Sequence, residues 1–193
     1  MNFGPDGDRR PAGKVLNRVL ALSVGLMLAL AAGQATAGEC VESGVVKRAA
    51  GSFAAASRDG SASAYTAALT RHTSMSGLAL FALGPYRNSM TGARRGEYVR
   101  LTGQFMGRMM VEYGSRIVQG ALVIEGCFKQ NGATMVKSRF GLTQVTWRVD
   151  GRRISDVNVE GIWLASRLRS TFVGVLRRAG GDLGALLSYL RDG

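Results

Sequence analysis

Two alternating segments in residues 143–160, joined by Asp150-Gly151, constrain the fold of this chain most strongly. In the first segment Val145 and Trp147 alternate with polar residues, which is the pattern of a strand with one buried face. The second segment alternates in the same way. Because Asp and Gly tolerate positive φ, the dipeptide between the segments predicts a type I′ turn and therefore a β-hairpin.

Two further alternating segments precede this hairpin, at residues 121–130 and 134–140, and Asn131-Gly132 between them predicts another type I′ turn. Four consecutive strands with short connections predict an antiparallel meander. Apolar residues spaced three and four apart predict helices in the rest of the chain. These helices are expected at residues 39–57, 65–69, 75–83, 92–119, 162–178 and 182–191. The predicted fold class is therefore α+β, with a four-stranded antiparallel meander and several helices.

The N-terminal segment, residues 1–37, has the pattern of a cleaved signal peptide. Basic residues precede an apolar run at residues 19–32, and Ala35-Thr36-Ala37 provides a small-x-small cleavage site. The alternative is a single membrane anchor, but a span requires about 20 apolar residues and this run is shorter. We therefore predict cleavage after Ala37, export, and one mature domain at residues 38–193.

The charge of the chain narrows the class of partner. The formal net charge is +12 at pH 7, and the four basic and two acidic residues of segment 1–37 leave +10 for the mature part. Such a balance favours nucleic acid, an anionic membrane surface or an acidic protein. Export excludes most nucleic-acid roles, so anionic lipid headgroups or an acidic partner at a membrane are the stronger interpretation. The alternative is that the charge serves solubility alone.

Two cysteines, Cys40 and Cys127, remain after cleavage. An even number in an oxidising compartment allows one disulfide, which would tie the mature N-terminus to a strand. Closing a loop of about 85 residues would stabilise the fold by about 4 kcal/mol in the chain-entropy model. The alternative is that Cys127 is a buried free thiol.

The sequence lacks the clusters of residues that catalysis or metal binding requires. His72 is the only histidine, it stands among polar neighbours as a surface or capping residue does, and no Gly-x-Ser-x-Gly motif accompanies it. Asp156 and Glu160 lie four apart on one predicted strand, where they are expected to accept hydrogen bonds from backbone amides or to pair with arginines. We therefore predict a binding protein, not an enzyme, with no metal and no cofactor.

The longest predicted helix carries a wide apolar stripe rich in methionine and aromatic residues. Such a stripe is most often ordinary core, and the alternative is the adaptable lining that a flexible apolar ligand requires. The stripe consists of Tyr98, Leu101, Phe105, Met109, Tyr113 and Ile117, widened by Met106 and Met110.

The C-terminal part of the chain carries the most specific motif. A strand ends in DVNVEG (residues 156–161), the following helix contains RSTF (residues 169–172), and Gly-Gly at 180–181 separates it from a last helix. This order resembles the MlaC or toluene-tolerance family of periplasmic phospholipid-binding carriers, which includes relatives associated with hopanoid biosynthesis. Upstream, ALGPYR at residues 82–87 resembles the turn before the long helix of that family. The similarity spans most of residues 39–191.

The resemblance implies a curved sheet and helices that enclose an apolar cavity for acyl chains, with the lipid headgroup at the opening. Trp163 stands where the family usually has a small polar residue and is expected at the cavity mouth. Arg167 and Arg169 are expected to contact a phosphate or an anionic membrane, and the alternative for Arg169 is an ion pair with Glu160. The residues expected to contact the lipid are Leu80, Phe81, Phe105, Met109, Tyr113, Val145, Trp147, Val157, Val159, Ile162, Trp163 and Phe172.

The function implied by the resemblance is that of a periplasmic, monomeric carrier. It would bind a phospholipid, or a hopanoid-type lipid, and move it between an inner-membrane complex of ABC type and an outer-membrane lipoprotein complex, with no nucleic acid involved. The alternative function is that of an exported interaction module, which holds no lipid and docks on a membrane complex through its basic surface.

Overall fold

The computed structural model describes residues 40–117 and 120–193. The predicted signal peptide and its cleavage site after Ala37 lie outside these residues. In the described part, a 3-10 helix, Gly84–Ser89, stands between the third and fourth α-helices. The α-helices and strands in chain order are α1 Ser43–Asp59, α2 Ala62–His72, α3 Met75–Ala82, α4 Gly92–Ile117, β1 Leu122–Gln130, β2 Ala133–Phe140, β3 Thr143–Asp150, β4 Arg153–Val159, β5 Ile162–Trp163, α5 Leu164–Arg178 and α6 Leu183–Asp192. The predicted α+β class is confirmed.

The strands form one antiparallel sheet in the order β1-β2-β3-β4-β5. Asn131 and Gly132 both have positive φ, at 49° and 78°, so the first hairpin has the predicted type I′ turn. The hairpin between β3 and β4 differs from the prediction: Asp150 is the last residue of β3, and its turn has positive φ only at Gly151. Gly151 is the first of the two central residues, and positive φ at that residue alone defines a type II′ turn, so this hairpin has a type II′ turn.

A fifth strand corrects the predicted four-stranded sheet. Glu160 and Gly161 have φ of 49° and 87°, so the chain reverses in a further tight turn and β5 pairs with the end of β4. Helix α5 therefore begins at Leu164 and not directly after the glycine. Glutamate rarely adopts positive φ, which is why the sequence does not indicate this turn. Hydrogen bonds hold it there: the backbone N–H of Glu160 donates to Gln144 O at 3.1 Å, and its Oε1 accepts from Gln144 N at 2.6 Å.

Helices cover one face of the sheet and pack among themselves beside it. Helix α4 lies against α2, α3 and α6, and α5 lies against α3 and α6. Gly107 allows the close approach of α2 to α4, because a Cβ at this position would lie 2.6 Å from Ala62 O. An aromatic cluster joins α4, α5 and α6, with the ring centroids of Phe105 and Phe172 5.8 Å apart and those of Phe105 and Tyr189 5.6 Å apart.

Two neighbouring links attach the start of α1 to the sheet. Cys40 and Cys127 form a disulfide, with their Cα atoms 6.1 Å apart. Glu42 Oε1 accepts hydrogen bonds from Thr134 Oγ1 at 2.6 Å and from Lys129 Nζ at 3.0 Å. The Thr134 hydroxyl and the Lys129 ammonium lower the pKa of the Glu42 carboxyl from 4.5 to about 2.

The depressed pKa of Glu42 predicts a specific dependence of stability on pH. Ionised Glu42 stabilises the fold above its unfolded pKa of 4.5, and this stabilisation disappears as the pH falls towards its folded value of about 2. Urea unfolding of the wild type and of Glu42→Gln should therefore differ most above pH 4.5 and converge between pH 4.5 and 2. The exposed Glu112 on α4 provides the control, since Glu112→Gln is expected to parallel the wild type throughout. A constant difference between wild type and Glu42→Gln would contradict the assignment.

Candidate functional site

An apolar cavity of about 140 Å³ lies between the sheet and the helices packed on it. Its walls carry no polar surface. Helices α1, α2 and α4 form one side, strands β2, β3 and β4 form the other, and the start of α5 closes one flank. The lining residues are Ala50, Phe53, Leu69, Met110, Phe140, Val145, Trp147, Val157, Val159 and Leu164.

The register of the sheet explains why its wall of the cavity is apolar. Val145 pairs with Val159 and Trp147 pairs with Val157, so these side chains share one face. The indole N–H of Trp147 donates to Ser138 Oγ at 2.8 Å, and that hydroxyl donates to Val145 O at 3.1 Å. The only polar atom of the tryptophan side chain is therefore satisfied within the sheet, and its ring surface remains available to the cavity.

The helical wall is made by residues of contrasting size. On α1, the small Ala50 and the larger Phe53 are three positions apart and face the sheet together with Leu69 of α2. Met110 of α4 completes this wall with a flexible thioether. Apolar cavities of roughly 150 Å³ stay dry and take up apolar molecules, so this arrangement is suited to hydrocarbon and not to polar chemistry.

The sequence of this chain matches the family model described as MlaC protein over residues 49–192. The chain belongs to the MlaC family. The resemblance seen in the sequence is thus confirmed, and the matched region extends from within α1 to the end of α6.

A solved structure has a similar fold. A phospholipid-binding protein from Ralstonia solanacearum, determined in complex with a phospholipid, matches with a TM-score of 0.64 and 16% sequence identity. The alignment covers 77% of this chain and 94% of that protein. A comparison with curated proteins finds no match.

The structure brings the predicted lipid contacts on β3 and β4 together in the wall of the cavity. Val145, Trp147, Val157 and Val159 all line the cavity. Met110 is the methionine of α4 that lines the cavity, although it lies at the margin of the predicted apolar stripe.

The other predicted lipid contacts lie outside the cavity. Phe105 and Phe172 are buried in the aromatic cluster of α4, α5 and α6, and Leu80 is buried on α3. Tyr113 is exposed on α4, and Met109 is half-buried beside the core. The physical reason is that helices α3, α4 and α5 pack against one another as well as against the sheet, so only part of their apolar surface reaches the cavity.

Phe81 and Trp163 line a separate, polar cleft of about 400 Å³. Asp156 belongs to this cleft, and its Oδ1 accepts hydrogen bonds from the backbone N–H of Val157 at 2.8 Å and of Ala165 at 3.0 Å. Burial raises the pKa of Asp156. The bond to Ala165 fixes the first turn of α5, so this carboxyl serves the fold, as the sequence suggested for Asp156 and Glu160 alike.

The arginines predicted to contact phosphate are on the exposed surface of α5. The guanidinium of Arg169 lies over the Phe81 ring, 5.2 Å from its centroid, and Glu160 instead accepts from a backbone amide. Arg167 is exposed one helical turn before Thr171. Neither arginine lines the apolar cavity, so the geometry of the cavity gives no support to their predicted contact with a headgroup.

His72 ends α2 and joins it to α1, because Ser52 Oγ lies 2.8 Å from its Nε2. Partial burial and nearby arginines lower the pKa of His72 below 6.5. Among the described residues, no three His, Cys, Asp or Glu side chains are grouped in a way that would hold a metal ion.

Proposed function

We propose that this protein is a periplasmic carrier that holds the acyl chains of a phospholipid between its sheet and its helices. The observation that carries the proposal is the wholly apolar cavity enclosed by these two layers in a chain of the MlaC family. The phospholipid bound to the Ralstonia solanacearum protein of the same fold supports it.

The physical need for such a carrier follows from the cost of hydrating acyl chains. A lipid with two chains of about 16 carbons exposes about 30 methylenes, and at ~0.8 kcal/mol each this amounts to roughly 25 kcal/mol in water. A dry cavity lowers this cost without any covalent chemistry. No enzymatic step is required of the protein.

The size of the cavity indicates how binding occurs. Sites for drug-sized ligands occupy roughly 300–1,000 Å³, whereas this cavity has about 140 Å³. Because its walls belong to different layers, it can widen when α1, α2 and α4 move away from the sheet. We therefore expect a lipid to separate the layers as its chains enter.

The partners proposed for this carrier are membrane complexes on either side of the periplasm. They are an inner-membrane lipid transport complex of ABC type and an outer-membrane lipoprotein complex, with phospholipid or a hopanoid-type lipid as cargo. One chain encloses the cavity alone, so we propose a monomer. Within residues 40–117 and 120–193, no helix has the length and apolarity needed to cross a bilayer.

Organic extraction followed by lipid mass spectrometry tests the carrier function. The protein is purified from the exported fraction, extracted, and its lipid content is compared with its molar amount. Near-stoichiometric phospholipid is expected. An extract free of lipid would contradict the proposal and favour the docking module without lipid.

The two adjacent methionines of α4 provide a sharper test of the cavity. Met110→Asp places a carboxylate against the apolar walls and is expected to lower co-purifying lipid about tenfold or more, because an unpaired charge is poorly tolerated there. Met109→Asp is the matched control: it is half-buried on the same helix but outside the cavity, so lipid should be retained. Equal lipid loss in both variants would contradict the assignment.

We also propose that Arg167 and Arg169 contact phosphate groups at an anionic membrane surface. Both are exposed, and α5 contains no acidic residue that would neutralise them. Such contacts are screened by salt, so they would steer the protein towards a membrane more than hold it there.

A further inference from the structure

Two large apolar side chains are exposed at the same end of the sheet, one in a turn and one at the start of β5. Leu142 is 97% exposed and Ile162 is 63% exposed. Gly141 has a φ of 58° and Leu142 does not have positive φ, so these two residues form a type II′ turn with the leucine at its tip. The side chain of Leu142 therefore takes no part in the packing of the core.

Hydrogen bonds fix the two turns beside each other. Gln144, two residues after Leu142, exchanges two hydrogen bonds with Glu160, two residues before Ile162. Their positions are therefore set by the sheet and not by mobile loops. These two hydrogen bonds explain why Glu160 is held at an unusual positive φ.

The apolar wall of the cavity continues to the edge strand β5. Val145 pairs with Val159, and Val159 pairs with Ile162, so the three side chains lie in a row on one face of neighbouring strands. The first two line the cavity, and Ile162 continues its apolar wall to the exposed edge. An acyl chain that followed this row would leave the cavity at Ile162.

We propose that the end of the sheet bearing Leu142 and Ile162, here called the portal, inserts into the surface of an anionic phospholipid bilayer and that acyl chains enter and leave the cavity there. The inference rests on the proposed carrier function and deepens it by assigning the membrane-contacting surface. Direct bilayer contact would shorten the path over which a chain is exposed to water.

The chemistry of the portal favours a bilayer over a protein partner. Leu142 stands at the tip of one turn and Ile162 directly follows another, which suits insertion between headgroups, whereas protein interfaces bury broad patches with well-packed centres. The described residues carry an excess of basic side chains, which complements anionic lipid.

Flotation with vesicles of phosphatidylethanolamine and phosphatidylglycerol tests the portal, using the full mature protein purified after export. The double variant Leu142→Ser/Ile162→Ser is expected to bind roughly tenfold more weakly, since each serine removes an inserting apolar side chain. Transfer of a fluorescent phospholipid between such vesicles should slow by a similar factor. The thermal unfolding of the variant should stay close to that of the wild type, because both side chains are exposed.

Val41 provides the matched control, because it is 92% exposed and follows Cys40 at the disulfide, away from the two turns. Val41→Ser is expected to change vesicle binding by less than about twofold, as surface substitutions usually do. The portal would be overturned if the double variant bound vesicles as the wild type does, or if both variants lost binding equally. It would also be overturned if the wild type did not bind vesicles. Slower transfer only to vesicles that contain a membrane protein would also overturn it, in favour of a protein docking surface.

The lipid extract keeps the two proposals separate. A lipid-loaded wild type whose vesicle binding does not depend on Leu142 and Ile162 overturns the portal and leaves the carrier function standing. A wild type without extractable lipid overturns the carrier function, and with it the passage of acyl chains, whatever the vesicles show.

Discussion

Cys40→Ala/Cys127→Ala is expected to lower the free energy of unfolding by about 4 kcal/mol and the melting temperature by about 10 °C. The bond joins positions 87 apart in the chain, so its removal gives the unfolded state a large gain in conformational freedom. It also fixes the start of α1, the helix that presents Ala50 and Phe53 to the cavity. Equilibrium unfolding in urea and thermal unfolding measure the two losses.

Reductant provides the control for this prediction. Adding it to the wild type should reproduce the loss of stability, while the double variant should be insensitive to it. Glu42, Lys129 and Thr134 still hold α1 to the sheet in the variant, so we expect a cooperative unfolding transition to remain. A free energy of unfolding that is the same with and without the bond would contradict the prediction.

Ala50→Phe is expected to reduce co-purifying phospholipid to less than roughly a tenth of the wild-type amount, because the new ring displaces several methylenes worth ~0.8 kcal/mol each. Ala50 lies on the helical wall, where its small side chain leaves room that the ring would occupy. The protein should remain folded, since the added group is apolar and enters an existing cavity. Lipid mass spectrometry of the extracted protein measures the outcome.

Ala55→Phe is the matched control, because it makes the same change on the exposed side of the same helix. Lipid content should match the wild type. Full lipid loading of Ala50→Phe would show that the acyl chains lie elsewhere. Loss in both variants would indicate a general effect on α1 and would equally contradict the assignment.

The strands of the site could be predicted from the sequence, because successive side chains of a strand point alternately to the two faces of the sheet. Val145 and Trp147 had to share a face, and so did Val157 and Val159. The fifth strand could not be predicted in this way. It depends on Glu160 taking positive φ, which two hydrogen bonds to Gln144 support and which the residue itself disfavours.

The helical side of the site was predicted less well, for a related reason. Helix α4 packs against α2, α3 and α6, so its apolar stripe is wide and serves several neighbours. The sequence shows how wide the stripe is, but it does not show which edge of the stripe packs against which neighbouring element. As a result Phe105 lies in the aromatic cluster, Met110 lines the cavity, and Met109 does neither.

The sequence by itself determined the α+β class, the meander, the family and the apolar floor of the cavity. These follow from local periodicity, turn chemistry and an ordered motif, each readable within a few residues. The tertiary structure alone decided which helical residues close the cavity, that Cys40 meets Cys127, and that Leu142 and Ile162 are exposed at the same end of the sheet. Those features depend on contacts between residues far apart in the chain, whose side chains meet only when the layers pack.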